Sequence, residues 1–543
     1  MSTAVAADKK EAQSALFTRQ SSGLVRELGI PSAIGIALAS VVVVNTFINF
    51  FAGLAGFKQA DMVIPLIAGA LIWVVAMFAY KSLLDAIPRA GGEYVYLSRI
   101  ISPAIGSMAG LSLAVAFLFF LGSNANFVAQ YLPFTLLALG SALGSSSIAN
   151  AGSQIGGTGA IAVISVCILL FLGICSTFSV KRVAQAIMAL VVVQLLAYLT
   201  VLFLLVTHSH DQFVAAFAAF SNHPNAYNDV LAAAAKDSIP LGVSTAASLA
   251  VIPFMVLNYN GALYAYYVAG ELKKPGRTYL WASTVTIALL AVVWIAGWVI
   301  MLNTIGRDFM QAQAQLGVSD PTAYGAITSL QASTNGLGYG LVLSGDPVTK
   351  LLIGVAIPFA SFALELAFVV VVTRVLFALA FDRLLPVALA EVTDKGVPRN
   401  AIVVCIAGAI AFTLLNAFGT LTAIVANLSL FVALILLAGS IAAFALPLRR
   451  PDLVMRPGAQ KLAKVGGLPI ASLPGAAAAI LALITIALII GNPSVFGSFS
   501  VVSVGALVVI IAAGPIVYLI ARQMRLQRSS IDIGLAMHEL PPE

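Results

Sequence analysis

Charge is what this chain has least of. Asp, Glu, Lys and Arg make up 9% of its 543 residues, against 61% hydrophobic residues. A soluble protein of that length needs far more charge to cover its surface, so a water-soluble globular fold is excluded. Cysteine is nearly absent. Cys167, Cys175 and Cys405 all lie in apolar runs, in no metal-type spacing. They are expected to be small packing residues, and they exclude a disulfide scaffold. The histidines are His208, His210, His223 and His538, all in connections or the tail. No metal site or cofactor is expected from them. No phosphate-binding glycine loop occurs, which excludes direct ATP drive. The first thirty residues are polar and mixed, without a short apolar core or a small-residue cleavage site, so no cleaved signal peptide is expected.

Long apolar runs are what the chain does have. A helix rising about 1.5 Å per residue needs roughly 20 apolar residues to cross the hydrocarbon layer. Twelve runs meet that length, giving expected spans at Pro31–Ala55, Met62–Tyr80, Ala104–Leu132, Gly159–Phe178, Val183–Val206, Leu241–Ala269, Leu280–Leu302, Leu351–Ala380, Ala401–Phe418, Leu421–Ala445, Ser472–Ile490 and Val501–Ala521. The fold class expected is an all-α membrane protein with twelve transmembrane helices.

The scarce charge is placed asymmetrically. Of the 28 Lys and Arg residues, only Lys58, Lys236, Arg307 and Lys350 fall on one side of this twelve-span reading. All the others fall in the two tails or in alternate connections. Positive loops stay in the cytoplasm, so both termini are expected inside a cell membrane. The formal charge of +7 is dispersed over span ends and does not point to nucleic acid.

Three expected outer connections are long: Gly140–Gly157, His208–Pro240 and Asn303–Asp346. They are read either as short helices over an outer vestibule or as solvated linkers. The inner connection Asp382–Asn400 reads as a short amphipathic surface helix with Pro386 in its first turn.

Polar interruptions fall at matching places in two spans. Span one holds Asn45-Thr46-Phe47-Ile48-Asn49 midway, and span six holds Asn258-Tyr259-Asn260-Gly261 midway. Spans one to five and six to ten have equal helix counts, and an odd count per unit places two copies in opposite orientation. Interruptions at corresponding places in two halves point to a transporter site. Polar packing between helices gives a similar pattern.

Three motifs follow in order. Span two leaves through Ile87-Pro88-Arg89-Ala90-Gly91-Gly92-Glu93-Tyr94-Val95-Tyr96. Span six leaves through Gly270-Glu271-Leu272-Lys273-Lys274-Pro275. Span eight leaves through Thr373-Arg374-Val375-Leu376-Phe377-Ala378-Leu379-Ala380, followed by Leu384-Leu385-Pro386. In this order and spacing they resemble the amino acid–polyamine–organocation permeases, over nearly the whole chain. The resemblance implies a five-plus-five inverted repeat like that of the leucine transporter, with two extra C-terminal helices. It divides the chain into an N-terminal cytoplasmic tail (1–30), a first repeat (31–206), a second repeat (241–445), the last two spans with their preceding loop (446–521) and a C-terminal cytoplasmic tail (522–543). It also implies alternating access about broken spans one and six. There, half-helix N-termini face a substrate carboxylate and unwound carbonyls face an ammonium or a cation.

The residues matching those breaks are Val43, Val44, Asn45 and Thr46 in span one, and Asn258, Tyr259, Asn260 and Gly261 in span six. These are the expected substrate-binding residues, with Tyr259 also a candidate gate. The sequence departs from the family at span one, where Val41-Val42-Val43-Val44 replaces a Gly-Ser-Gly type of break and removes glycine's close backbone access. Asn45 and Thr46 would then supply part of the missing donors. Span five lacks an interior Lys or His, so a basic proton switch there is not expected.

Only one charged residue, Glu365, falls near the centre of a span. It lies about fifteen residues into span eight, roughly 20 Å from the outer end. A carboxylate at that depth must be paired, hydrated or protonated. Glu365, with Ser361 one turn earlier, is the expected coupling or charge site, serving either a proton or a cation. Ser361 and the carbonyls near Val41–Val44 are candidates for sodium. Glu271 and Arg374 form an expected inner gate.

The function expected is secondary active import of an amino acid or related organic amine, coupled to H+ or Na+. An exchanger or uniporter is the alternative within transport, and a non-transporting membrane sensor the alternative outside it. An enzyme is not expected, because no nucleophile, base or metal cluster lies within the spans. The expected partners are a small-molecule substrate and the lipid bilayer, with the oligomeric state left open.

Overall fold

The computed structural model describes residues 23–538 apart from 153, 154, 156, 331–334, 419–427, 456–462, 497–500, 530 and 531. Among the described residues, eleven helices are long and apolar enough to cross a bilayer. The twelfth crossing is span one, split into the shorter helices Ile30–Val41 and Asn45–Gly56. Spans two to five are Val63–Ala86, Pro103–Leu143, Thr158–Ser176 and Val180–Thr207. Spans six to nine are Thr245–Glu271, Pro275–Thr304, Pro347–Phe381 and Arg399–Phe418. Spans ten to twelve are Leu428–Arg449, Ile470–Gly491 and Val501–Ser529. Spans three and eight are the longest, with 41 and 35 residues. Both exceed the roughly 20 residues that a bilayer requires, so they extend beyond it.

The packing partners reveal the repeat. Span one packs on six, two on seven, three on eight and four on nine. Each of the first four spans thus meets its counterpart five places along the chain, while span five packs on eight and one. The connecting helices agree. Glu93–Ile100 lies between spans two and three, on the face where Lys and Arg gather (the basic side). Arg307–Ser319 and Asn335–Leu343 lie between spans seven and eight, on the opposite face (the far side). Units of five helices in opposite orientation put equivalent connections on opposite faces. Spans eleven and twelve lie outside the repeat, eleven against spans ten and two, twelve against three.

Regular helix stops inside two spans. Span one ends at Val41, and Val42 takes the left-handed conformation at φ 58°. A β-branched residue there costs about 1–3 kcal/mol, which the surrounding packing must hold in place. Span six is different. Its α-helical part ends at Tyr259 and continues as a 3-10 helix from Asn260 to Glu271. The expected interruption is therefore a tightening of the helix, with Val268 off helical geometry at φ −102°, ψ 24°. A long 3-10 stretch inside a span marks a hinge. The two spans touch at this level, where a Cβ on Gly261 would lie 2.4 Å from the Ser40 backbone. Only glycine lets them come so close.

Two readings of the connections need correction or completion. Asp382–Asn400 is not an amphipathic helix but one 3-10 turn, Val387–Ala390, with Pro386 as its N-cap. Arg383 at φ 64°, Gly396 and Pro398 interrupt the backbone too often for a helix to form. The long far-side connections do contain helices: Ser146–Ala151, His210–Ser221, Ala226–Lys236, Arg307–Ser319, Pro321–Ile327 and Asn335–Leu343. Two of them cover the far half of span one. Gln315 donates to the carbonyl of Ala55 at 3.0 Å, and Gly336 sits directly on Phe47.

Candidate functional site

A cavity of about 670 Å³ lies between the far half of span one, the far half of span six and span three. Its lining runs from Ser40 at the break to Asn416 and Leu428, at the far-side ends of spans nine and ten. The polar lining combines amides, from Asn49, Asn124, Asn126, Gln130, Asn258 and Asn416, with the hydroxyl residues Ser40 and Ser123. Phe119, Phe120, Phe127 and Phe254 form much of the apolar wall. No charged side chain lines it among the described residues. Polar groups converging in a largely apolar hollow are the usual form of a small-molecule site.

Of the expected substrate-binding residues whose side chains the structure describes, Asn258 reaches the cavity lining and the others do not. It is hydrogen-bonded to Asn49, tying the far halves of the two broken spans together, and it donates to the carbonyl of Phe254 at 2.7 Å. Val43 and Val44 are buried behind the cavity, and the freed carbonyl of Val43 accepts from Trp294 Nε1 at 3.3 Å. Tyr259 is fully buried with its ring 4.7 Å from that of Trp294, so it stands off the wall and not across an opening. Asn260 bonds to the Tyr264 hydroxyl, and Gly261 is consumed by the contact with Ser40. The side chains of Asn45 and Thr46 lie outside what the structure describes. Sequence reasoning missed span three. Its signal was the run Ser123-Asn124-Ala125-Asn126, followed by Gln130, in an otherwise apolar segment.

Glu365 is fully buried directly behind this wall. Its Oε1 accepts from Asn124 Nδ2 at 3.0 Å, and Asn124 in turn lines the cavity. Its Oε2 has no partner among the described residues. Ser361, one turn away, is buried on the same helix. The carboxyl is thus one side chain removed from the cavity.

Beneath the cavity, rings seal the passage toward the basic side. Phe117 meets Tyr264, Tyr267 and Phe368 edge-on at 5.4–5.8 Å, and Phe120 stacks on Phe368 at 4.8 Å. Below the rings sit three polar ties. Arg374 pairs with Glu271 at 2.8 Å and also donates Nε to it at 2.9 Å, both residues being buried. Arg99 pairs with Asp382 at 2.6 Å, and the Tyr94 hydroxyl donates to the same carboxylate at 2.6 Å. Glu93 receives hydroxyl donors from Tyr80, Tyr266 and Tyr267. Paired, hydrogen-bonded charge is the form in which buried charge is tolerated.

The Gly91-Gly92 pair makes the third tie possible. Both take positive φ, at 114° and 60°, and a Cβ on Gly92 would lie 2.3 Å from the Tyr267 ring. The chain start adds a fourth tie, backbone to backbone. Leu28 N donates to Glu271 O at 2.9 Å, and Lys273 N donates to Leu28 O at 3.0 Å. The start of span one is thereby sewn to the end of span six. On the far side Arg307 pairs with a partly exposed Asp61 at 2.9 Å, and Gln315 holds the helix Arg307–Ser319 against the end of span one.

The arrangement has a polar, hydrogen-bonding hollow beside two interrupted spans, lying in the far half and closed by rings and ion pairs toward the basic side. Among solved structures, the chain is similar to a Na+-coupled sialic acid symporter in a substrate-bound outward-open state. Identity is 12% and the TM-score 0.46, over 86% of this chain and 90% of that one. No curated protein matches the sequence. The family model for amino acid permeases matches residues 30–530, so the chain belongs to the amino acid permease family and is a multi-pass membrane transporter.

Proposed function

We propose that this transporter imports an amino acid or a related organic amine by alternating access, driven by a proton or sodium gradient. The observation that carries the reading is the contact of Gly261 with Ser40. It joins two interrupted spans beside a cavity that lies in the far half and is sealed toward the basic side. Such a fold must have a second state of similar energy, with the seal moved to the far side. The Lys- and Arg-rich face is read as cytoplasmic, so the cavity described faces outward and import is the natural direction. Family membership supports the substrate class. The amide and hydroxyl lining supports a solute held by hydrogen bonds.

Glu365 is the residue assigned to coupling. It is buried, it pairs with no cation among the described residues, and it touches the cavity through Asn124. A carboxyl so placed suits a proton that binds from the cavity and travels with the solute. Uptake of radiolabelled amino acids and amines into proteoliposomes tests the reading, with a pH or a sodium gradient imposed separately. Accumulation above the outside concentration under one gradient supports it. Equilibration without accumulation identifies a uniporter, and uptake only against preloaded solute an exchanger. No uptake of any amino acid or amine under any condition defeats it.

A further inference from the structure

Spans three and eight place three polar atoms at or beside the cavity, two from span three and one from span eight, that have no partner among the described residues. Asn126 donates Nδ2 to the carbonyl of Thr413 at 3.2 Å. That carbonyl can only accept, so the amide orientation is fixed. Oδ1 is the atom left over, buried and without a partner among the described residues. The Ser123 hydroxyl is also buried without a partner, and so is Oε2 of Glu365 behind Asn124. Asn126 is 2% exposed and Glu365 0%. All three leftover atoms are oxygens, and two of them belong to groups that accept. A buried acceptor left unmade is a cost that folding does not accept without return. A cavity wall with such oxygens, no Lys or Arg among its described residues, and a carboxyl one side chain behind it is complementary to a cationic donor.

We propose that this wall is a second subsite, taking an ammonium or guanidinium group at the end of the substrate remote from the break in span one. The inference rests on the amine and amino acid reading above and narrows it. The substrate carries two nitrogen donor groups, as in a diamine or an amino acid with a basic side chain. Glu365 supplies the countercharge through Asn124, and Ser123 and Asn126 supply direct acceptors.

The test uses purified full-length protein and matched probe pairs. These are 1,5-diaminopentane against 1-aminopentane, and lysine against norleucine, read by thermal shift and by competition for uptake. A site built to satisfy a donor rejects the analogue lacking it, so the two-nitrogen member of each pair should bind at least about tenfold more tightly. The ratio should fall toward one in Ser123→Ala and in Asn126→Val. Ser123→Ala removes one oxygen and guards against misfolding of the other variant, and a monodisperse elution profile checks both. Equal binding within each pair, or a preference that survives both substitutions, overturns the subsite while leaving an amine carrier in place. Binding of none of the four probes, nor of any other amino acid or amine, overturns the carrier reading and the subsite with it.

Discussion

At the scale of single residues, the decisive feature is a buried carboxyl with one hydrogen bond. Glu365 receives one donor from Asn124, and its second oxygen has no partner among the described residues. A group ionised in such a place costs several kcal/mol unless something arrives to pair with it. Glu271 and Asp382 contrast with it, since each is held by an arginine at 2.8 Å or less. Those carboxylates are fastened, whereas Glu365 is available. Glu365→Gln keeps the shape and an acceptor for Asn124 but cannot take up or release a proton. Uptake driven by a pH gradient should fall by about tenfold or more, the scale of one charge-assisted hydrogen bond of ~1.5–3 kcal/mol. The remaining uptake should no longer respond to pH. Proteoliposome uptake at stepped external pH measures both, and a variant with full uptake and an unchanged pH profile removes Glu365 from the mechanism.

At the scale of elements, the proposed transport cycle turns on how closely spans one and six approach. Gly261→Ala places a methyl 2.4 Å from the Ser40 backbone, where no flexible side-chain end can yield. Overpacking of this kind costs about 1–3 kcal/mol, so the melting temperature should drop and transport should fall further than stability does. Gly325→Ala is the control, because a Cβ there meets nothing within 4 Å. Equal behaviour of the two variants would mean that the contact is dispensable. How much of this was legible in sequence follows from the same elements. The span count and the presence of a break in span one could be read because apolar length and polar interruption act locally, although the helix stops at Val41 and resumes at Asn45, ahead of the polar run expected to mark the break. The cavity wall could not be read in the same way. Ser123, Asn124 and Asn126 sit in a 41-residue helix that is apolar on all sides, so periodicity gives them no facing direction. Tyr259 misled for the related reason that a polar tip in a break suggests exposure, whereas Trp294 of span seven covers its ring. The links of Glu93 to Tyr266 and Tyr267 join residues more than 170 positions apart, and only the fold brings them together.

For the whole molecule, the question is which parts must separate for the closed side to open. Three buried polar ties and one backbone bridge hold the basic side, and the bridge is the simplest to control. Leu28 and Leu272 are partners in it, both fully buried. Bridge partners lie about 5 Å apart with side chains on one face, within the range a disulfide spans. Replacing both with cysteine, in a background where Cys167, Cys175 and Cys405 are alanine, should allow a bond to form under mild oxidation. The start of span one would then stay fixed to the end of span six. Alternating access requires those segments to part, so oxidised protein should lose transport almost completely, and reductant should restore it. Solute binding should persist in the oxidised form, since the cavity lies in the other half of the molecule. Uptake and thermal shift on the same preparation, before and after reduction, separate the two effects. If the cross-linked protein transports at the rate of the reduced one, the basic-side closure is not the gate, and solute leaves by a route these contacts do not guard.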